Sequence, residues 1–174
     1  MAQRAPDHID HVLAQWRRER PDLDVAALGL FGRLLRAAQL ADAALAEMLS
    51  RYELQAGWFD VLAALRRSGA PYELNPTQLM RATIVSSGGM TKRLDRLAEA
   101  GLVERRPDPA DRRATLVRLT RPGKATIDKA VEDHVANEER LLRSLTPDER
   151  RDLDDLLRTL LGDLETSETV SPDR

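Results

Sequence analysis

Residues 85 to 121 constrain the fold of this chain more than any other stretch. Their pattern predicts a short helix with a polar, basic outer face, followed by two strands joined by a loop that carries Asp111, Arg112 and Arg113. Between 92 and 124 there are ten lysines and arginines against five acids, a local charge of +5 in a chain whose formal net charge is −2. A rigid helix beside a positively charged hairpin suits a DNA groove, with one element inside the groove and the other over the backbone. The candidate functional surface is therefore expected here.

The composition narrows the class of protein further. A hydrophobic content of 42% is that of a folded chain, and neither a membrane-spanning apolar run nor a secretion signal is visible, so the cytoplasm is the expected location. The absence of cysteine excludes disulfides, a thiolate zinc site and a thiol redox switch within the chain. An aromatic content of 3% argues against a single-strand-binding surface built on base stacking. Residues 146–174 carry nine acids against four bases, which hides the basic stretch in a neutral average.

The order of the predicted elements defines the fold class. Helices are expected at about 7–19, 25–50 and 55–67, and Asn75 with Gln78 marks the start of the next one through a capping box. Ser86 or Ser87 can begin the following helix and Gly101 can end it. Two strands and two long helices complete the chain. The predicted division is an N-terminal extra helix (1–24), a first dimerisation helix (25–54), a DNA-binding domain (55–120), C-terminal dimerisation helices (121–165) and a disordered tail (166–174).

Three helices followed by two strands predict a winged helix-turn-helix inside a mainly α (α+β) fold. The long flanking helices carry leucines that a small domain cannot bury, which indicates a symmetric homodimer. Two-fold symmetry would present two recognition helices about one turn of DNA apart, so a palindromic operator is expected.

The run SSGGMTKRLDRLAEAGLVERRPDPADRR, followed by LTRPGK, resembles the signature region of the MarR family of bacterial transcriptional regulators. The resemblance extends from about 25 to 165, and its most specific part is the wing motif at 108–113, DPADRR. It implies a homodimeric, usually repressing regulator that binds double-stranded DNA and is released by a small, often anionic and aromatic ligand. The segment WRRERPDLD, which begins at Trp16, also resembles the extra first helix of the urate-responsive branch of that family. This second resemblance implies a pocket for urate, a related purine or a phenolic anion, with ligand-binding residues Trp16, Asp60, Arg93 and Arg105.

Helical geometry assigns the faces of the helix that begins at Ser86 or Ser87 and ends at Gly101. With Met90 at the centre of the core face, Leu94 and Leu97 fall within about 40° of it at roughly 100° per residue. The groove-facing set is then Ser87, Gly88, Thr91, Lys92 and Arg96. Taken alone, the same pattern describes an ordinary solvated helix face, and the attached wing favours DNA binding.

Other DNA contacts are predicted outside that helix. Arg112 or Arg113 is expected to enter the minor groove, where the negative potential attracts guanidinium groups. Asp111 is expected to orient a neighbouring arginine. Thr77 and Gln78, at a helix start, are equally suited to phosphate contact and to a purely structural capping role.

Asp60 and Arg93 leave two interpretations open. Asp60 interrupts the apolar run Trp58–Leu62, and Arg93 points along its helix flank towards the body of the domain. The pair can be a structural salt bridge that holds the DNA-reading helix, or part of a ligand pocket in which Trp16 packs on an anionic ring. Trp16 alone can also serve only to fix its helix to the core.

No catalytic or metal-binding constellation is visible in the sequence. His8 and His11 lie one turn apart without a third ligand and are interpreted as surface residues. Residues 86–92 lack the spacing of a phosphate-binding loop. No enzyme activity, cofactor or metal is therefore predicted. The alternative function is a helical dimerisation scaffold that does not bind DNA specifically.

Overall fold

The structure is a computed structural model that describes residues 5–83, 89–109 and 115–169. In chain order its elements are α1 (His8–Glu19), α2 (Ala26–Ser50), α3 (Ala56–Arg67), β1 (Glu73–Leu74), α4 (Pro76–Ala82), α5 (Met90–Glu99), β2 (Val103–Pro107), β3 (Thr115–Leu119), α6 (Arg121–Leu141) and α7 (Pro147–Thr169). The helix–helix–helix–strand–strand order predicted for the centre of the chain is confirmed.

The strands form one antiparallel sheet in the order β1-β3-β2. The sequence did not predict β1, because two residues are too few to show an alternating pattern. A proline favours an irregular loop over a strand, and the sequence therefore predicts Pro107 in the loop between the strands, but it is the last residue of β2, opposite Thr115. A proline is tolerated there because β2 is an edge strand and ends at this position.

The core joins α3, α4, α5 and the sheet to the end of α2 and the start of α6. The largest fully buried side chains are Leu49, Leu62, Leu65, Leu79, Leu97, Ile127, Val61 and Val117. These residues come from all of those elements, so the helix that carries the basic face is packed on a continuous apolar centre.

Helix α1 packs against α2 across two glycines. A Cβ added at Gly29 would lie 2.8 Å from Cδ1 of Leu13, and one added at Gly32 would lie 3.2 Å from Cδ1 of Ile9. Leu13 is buried at the centre of this contact. The spacing of Ile9, Val12 and Trp16 predicts that these residues form the packing face of α1, but Trp16 is 44% exposed. Because Gly29 and Gly32 have no side chains, α1 and α2 can approach each other closely at these positions. The centre of the helix contact is therefore at Leu13, one turn before Trp16.

Charged groups reinforce this packing at the start of α1. Asp7 caps the helix in a reciprocal capping box with Asp10. The guanidinium of Arg33 on α2 donates to both carboxylates, at 2.8 Å from Nε to Asp7 and 2.5 Å from Nη2 to Asp10. This bonding to Arg33 holds the pKa of the Asp7 carboxyl below its ordinary value. One arginine therefore satisfies the cap and ties α1 to α2.

The predicted apolar stripe of α2 divides into two parts. Met48 and Leu49, near its end, are buried in the core. Leu28, Phe31 and Leu35, spaced as one helical face, remain 53%, 46% and 61% exposed in the single chain. The first half of α2 thus presents an apolar face that the described part of the protomer does not cover.

The chain divides into two compact units, one through Val131 and the other from Glu132. In the second unit, Thr146 and Glu149 form a reciprocal cap at the start of α7, with 2.9 Å from the Thr146 amide to Oε2 of Glu149. Helix α7 continues to Thr169, so the disordered tail predicted from 166 starts too early. The reason is that no glycine or proline stands between Gly162 and Pro172 to stop the helix. Among the described residues no helix is long and apolar enough to cross a membrane.

Candidate functional site

The start of α4 matches the capping box that the sequence predicts. The side chain of Asn75 accepts from the Gln78 amide at 2.8 Å, and Oε1 of Gln78 accepts from the Asn75 amide at 2.9 Å. Thr77 and Gln78 are both exposed, while Leu79 of the next position is fully buried. Gln78 therefore has a structural capping role, and its side chain is at the same time exposed.

Helix α5 is amphipathic in the orientation expected from the sequence. Met90, Leu94 and Leu97 are buried, and Thr91, Lys92 and Arg96 are exposed on the other side. Arg96 forms an ion pair with Glu99 at 2.9 Å in which both side chains are mostly exposed. An exposed pair of this kind contributes little stability, so Arg96 can exchange Glu99 for another anion at small cost. Ser87 and Gly88 lie outside the described residues.

Gly89 begins α5 in a left-handed conformation, with φ of +80°. Gly89 is the N-cap residue, and no side chain caps the helix at this position. The expected caps Ser86 and Ser87 lie outside the described residues. The left-handed φ explains the glycine, because other residues adopt this conformation only with strain.

The other end of α5 is joined to the start of α6. Gly101 ends α5 with φ of +68°, and the Leu102 amide donates back to Leu97 at 3.0 Å. The hydroxyl of Thr120 donates to the Gly101 carbonyl at 2.7 Å and accepts from the Gly123 amide at 3.0 Å. A Cβ added at Gly123 would lie 1.9 Å from the Leu102 carbonyl oxygen. The LTRPGK motif thus encodes a direct backbone contact between the end of α5 and the start of α6.

The base of the hairpin is held to α5 by an ion pair that the sequence analysis did not predict. Arg105 on β2 lies 2.7 Å from Asp95 on α5, and both side chains are about half exposed. Arg105 was predicted to bind ligand, and the structure gives it this role in orienting the hairpin against α5. The tip residues Asp111, Arg112 and Arg113 lie outside the described part of the chain.

Arg93 and Asp60 are placed on neighbouring elements. Asp60 is buried on α3, with 8% of its surface exposed, and Arg93 is half-buried on α5. A Cβ built on Gly57, in the first turn of α3, would lie 2.8 Å from Nε of Arg93. The guanidinium therefore rests on the turn of α3 that leads to Asp60, three residues further on. Trp16 is on α1, where close to half of its surface is accessible.

A second charged cluster joins α3 to α6 and was not anticipated from the sequence. Asp128 accepts from Lys124 at 2.7 Å and from Nε of Arg66 at 2.5 Å, and both cations lie over the ring of Tyr72. The hydrogen bond from Lys124, followed by that from Arg66, holds the pKa of the Asp128 carboxyl below its usual range. Lys124 and Asp128 are one helical turn apart, which the sequence shows, but the approach of Arg66 and Tyr72 depends on the tertiary fold.

Metal chemistry has no visible basis in the described ranges, where no group of three or more potential metal-binding side chains of histidine, cysteine, aspartate or glutamate occurs. His11 instead lies 3.0 Å, through Nδ1, from the Asp7 carbonyl.

An exposed polar helix face, a buried opposite face and an attached antiparallel hairpin are the parts of a winged-helix DNA-binding domain.

Comparisons with known proteins identify the family. A model described as MarR family matches residues 52–114. The chain is 43% identical over 157 residues to the transcriptional regulator PecS of Dickeya dadantii, covering 90% of this chain and 92% of PecS. It is 36% identical to the multiple antibiotic resistance protein MarR of Escherichia coli, covering 75% of this chain and 90% of MarR. The chain belongs to the MarR family of DNA-binding transcriptional regulators.

Solved structures of relatives agree with this assignment. A cysteine-to-serine mutant of Escherichia coli MarR in complex with operator DNA superimposes with a TM-score of 0.66 at 32% identity, covering 84% of this chain and 97% of that one. A structure of BpsR from Bordetella bronchiseptica, whose DNA binding is regulated by 6-hydroxynicotinic acid, gives a TM-score of 0.66 at 32% identity over 74% of this chain and 91% of that one. MarR-family regulators bind DNA and work as dimers, and the curated relatives are named as regulators rather than enzymes.

Proposed function

We propose that this protein is a repressor that binds a palindromic operator as a homodimer and releases it when a small anionic aromatic ligand binds. The observation that carries the proposal is the exposed row of Thr91, Lys92 and Arg96 on a helix whose opposite face is fixed in the core. A helix held this way presents its side chains to a groove without a large entropic cost, since the backbone is already ordered.

In this proposal α5 is the recognition helix and the β2–β3 hairpin is the wing. Thr91, Lys92 and Arg96 contact bases and phosphates, together with Ser87 and Gly88 at the start of the helix. Thr77 and Gln78 contact the backbone from α4. Arg112 or Arg113 enters the minor groove from the wing tip, oriented by Asp111.

The same proposal assigns the effector to the region where α3 meets α5. Asp60 accepts N–H groups of the ligand, Arg93 binds its negative charge, and the exposed ring of Trp16 packs on its face. The resemblance to the urate-responsive branch favours urate or a related purine. The regulation of BpsR by a heteroaromatic acid supports the same ligand chemistry for this chain.

Arg105 belongs to the proposed pocket only if its ion pair with Asp95 opens. Both side chains are about half exposed, so exchange of Asp95 for a ligand anion costs little. Exchange would also free the wing from α5. Effector binding and release of the wing are therefore expected to occur together.

The ligand acts by changing the contact between Arg93 and α3. Because Arg93 belongs to the recognition helix, re-aiming its guanidinium tilts the surface that reads DNA. Couplings between two sites of this kind typically amount to about 1–3 kcal/mol, or about 5–150-fold in affinity. That range is sufficient to release an operator of moderate affinity.

The test is fluorescence anisotropy with duplex DNA from upstream of the protein's own gene, titrated across salt. We expect tight binding that weakens with salt and is reversed by urate, with other purines and salicylate as comparison ligands. Lys92→Ala should reduce the salt slope by about one. Lys129→Ala, which removes the same charge from the exposed side of α6, is the matched control.

Three results would change the proposal. Binding that ignores purines but responds to salicylate replaces urate with a phenolic anion. If the ligand still releases operator DNA from both Asp60→Ala and Arg93→Ala as it does from wild type, the ligand pocket lies elsewhere. Binding no tighter than to scrambled duplex, together with a genome-wide selection that recovers no site, favours the dimerisation scaffold.

A further inference from the structure

Gly57 lies inside a helix for a reason other than its backbone conformation. It belongs to the first turn of α3, where glycine weakens a helix relative to alanine. Among the described glycines only Gly69, Gly89 and Gly101 have a positive φ, so ordinary residues can adopt the backbone conformation found at Gly57. What distinguishes this position is the space that a side chain would fill.

That space is occupied by the side chain of Arg93. A Cβ built on Gly57 would lie 2.8 Å from Nε, 3.2 Å from Cζ and 3.3 Å from Cδ of Arg93. Carbon atoms do not approach other heavy atoms to 2.8 Å without displacement of one of them. The inner part of the guanidinium therefore lies directly over the backbone of α3, and any larger residue at 57 must push it away.

The neighbouring charges show what this contact positions. Asp60 is one turn further along α3, on the same side as Gly57 because of their i, i+3 spacing, and it is buried. On α5, Arg93 follows the exposed Lys92 and precedes the buried Leu94. Arg93 thus links the turn that carries a buried acid to the helix that carries the DNA-facing side chains.

The charge at the start of α3 does not explain why a cation lies there. The first turn of a helix carries a partial positive charge, which disfavours an arginine. What the structure shows at this place is close packing of the Arg93 side chain on Gly57, with the buried carboxyl group of Asp60 one turn further along the same helix. The position of Arg93 therefore depends on the lack of a side chain at residue 57.

We infer that Gly57 is a positioning residue for operator recognition, because it seats Arg93 and thereby sets the tilt of α5 against α3. The inference rests on the proposed function, in which α5 reads the operator and Arg93 transmits the effector signal. The proposed function thereby gains one further residue, Gly57, whose role is to fix the position of Arg93.

A double-mutant cycle tests this inference. Operator affinity is measured by anisotropy for wild type, Gly57→Ala, Arg93→Ala and the double variant, with the thermal unfolding midpoint of each as the folding readout. We expect Gly57→Ala to weaken operator binding at least about fivefold. In the Arg93→Ala background the same substitution should change affinity less than about twofold, because the group it displaces is gone.

Ala56→Ser is the matched control, since it adds one heavy atom at the neighbouring, exposed position of α3. It should leave operator affinity unchanged. With urate present, wild type should lose affinity and Gly57→Ala should lose less, because Arg93 has already been displaced.

Two results would overturn the inference. If Gly57→Ala shifts the unfolding midpoint but leaves operator affinity intact, the residue is only structural. If Gly57→Ala and Arg93→Ala weaken binding by independent factors that multiply, Gly57 does not act through Arg93. Failure of the unaltered protein to bind any operator would instead overturn the proposed function, and this inference with it.

Discussion

The hydroxyl of Thr120, the residue before α6, donates a hydrogen bond at 2.7 Å to the carbonyl of Gly101, the second residue after α5. The same oxygen accepts from the Gly123 amide at 3.0 Å. One side chain therefore caps α6 and binds the turn that follows α5. The stability of this junction depends on a hydroxyl rather than on the shape of the threonine.

Thr120→Val should destabilise the protein by about 1–2 kcal/mol, because the part-buried Gly123 amide loses its hydrogen-bond acceptor while the shape of the side chain is kept. Urea unfolding followed by circular dichroism measures the change. Thr115→Val, at an exposed position of β3, is the control and should stay within about 0.5 kcal/mol of wild type. Equal effects of the two substitutions would contradict a specific role for the Thr120 hydroxyl.

Acid should weaken the contact between α3 and α6 through Asp128. Its pKa is lowered in the folded protein, first by Lys124 and then by Arg66, so the ionised carboxylate stabilises the fold. That contribution is complete above the ordinary aspartate pKa of about 4 and is lost as pH falls through the lower folded value. Asp128→Asn should therefore be less stable than wild type at pH 7, and the gap should close towards pH 3. A gap that stays constant between pH 7 and pH 3 would show that the charge of Asp128 is not what matters.

Leu13 should control whether α1 stays attached to α2. Leu13→Ala removes the side chain buried against Gly29, so α1 should open locally while the winged-helix core stays folded. Hydrogen exchange should become faster in 8–19 and remain unchanged in α3 and α5. Gln15→Ala, on the exposed side of α1, is the control. Acceleration throughout the protein would mean that α1 is part of the cooperative core.

Leu35 should contribute to the proposed homodimer. It is 61% exposed on the same face of α2 as Leu28 and Phe31, and an apolar face of this kind is expected to be covered by the second subunit. Leu35→Glu would bury a charge there and should raise the dimer dissociation constant at least about tenfold in sedimentation equilibrium. Ala37→Glu introduces the same acid at an exposed position on the opposite side of the helix and should leave the dimer intact. An unchanged dimer in Leu35→Glu would place the interface on other helices.

Local signals made much of the fold predictable. The capping box of Asn75 and Gln78 and the glycine after α5 act over a few residues, so the sequence shows them directly. The periodic spacing of Met90, Leu94 and Leu97 fixed which face of α5 is buried. These local features are sufficient to predict the order of the helices and the exposed polar residues of α5 without knowledge of tertiary contacts.

Contacts between distant residues were the ones missed. The ion pair of Arg105 with Asp95 and that of Arg66 with Asp128 join elements that the sequence does not place side by side. The packing face of α1 was shifted because two glycines on another helix, rather than the pattern of α1 itself, determine where it fits. Pair interactions set by tertiary geometry therefore limit what one sequence shows about a site.

The contact between Gly123 and Leu102 determines which motions α5 can make. Backbone meets backbone there, and a Cβ would lie 1.9 Å from the carbonyl oxygen, so the junction has no room for sliding. Near its other end α5 contacts α3 through the side chain of Arg93, which has rotatable bonds. We therefore expect any tilt of α5 to be smallest at its C-terminal end. The largest displacement should occur at the N-terminal residues, which the proposed function assigns to DNA contact.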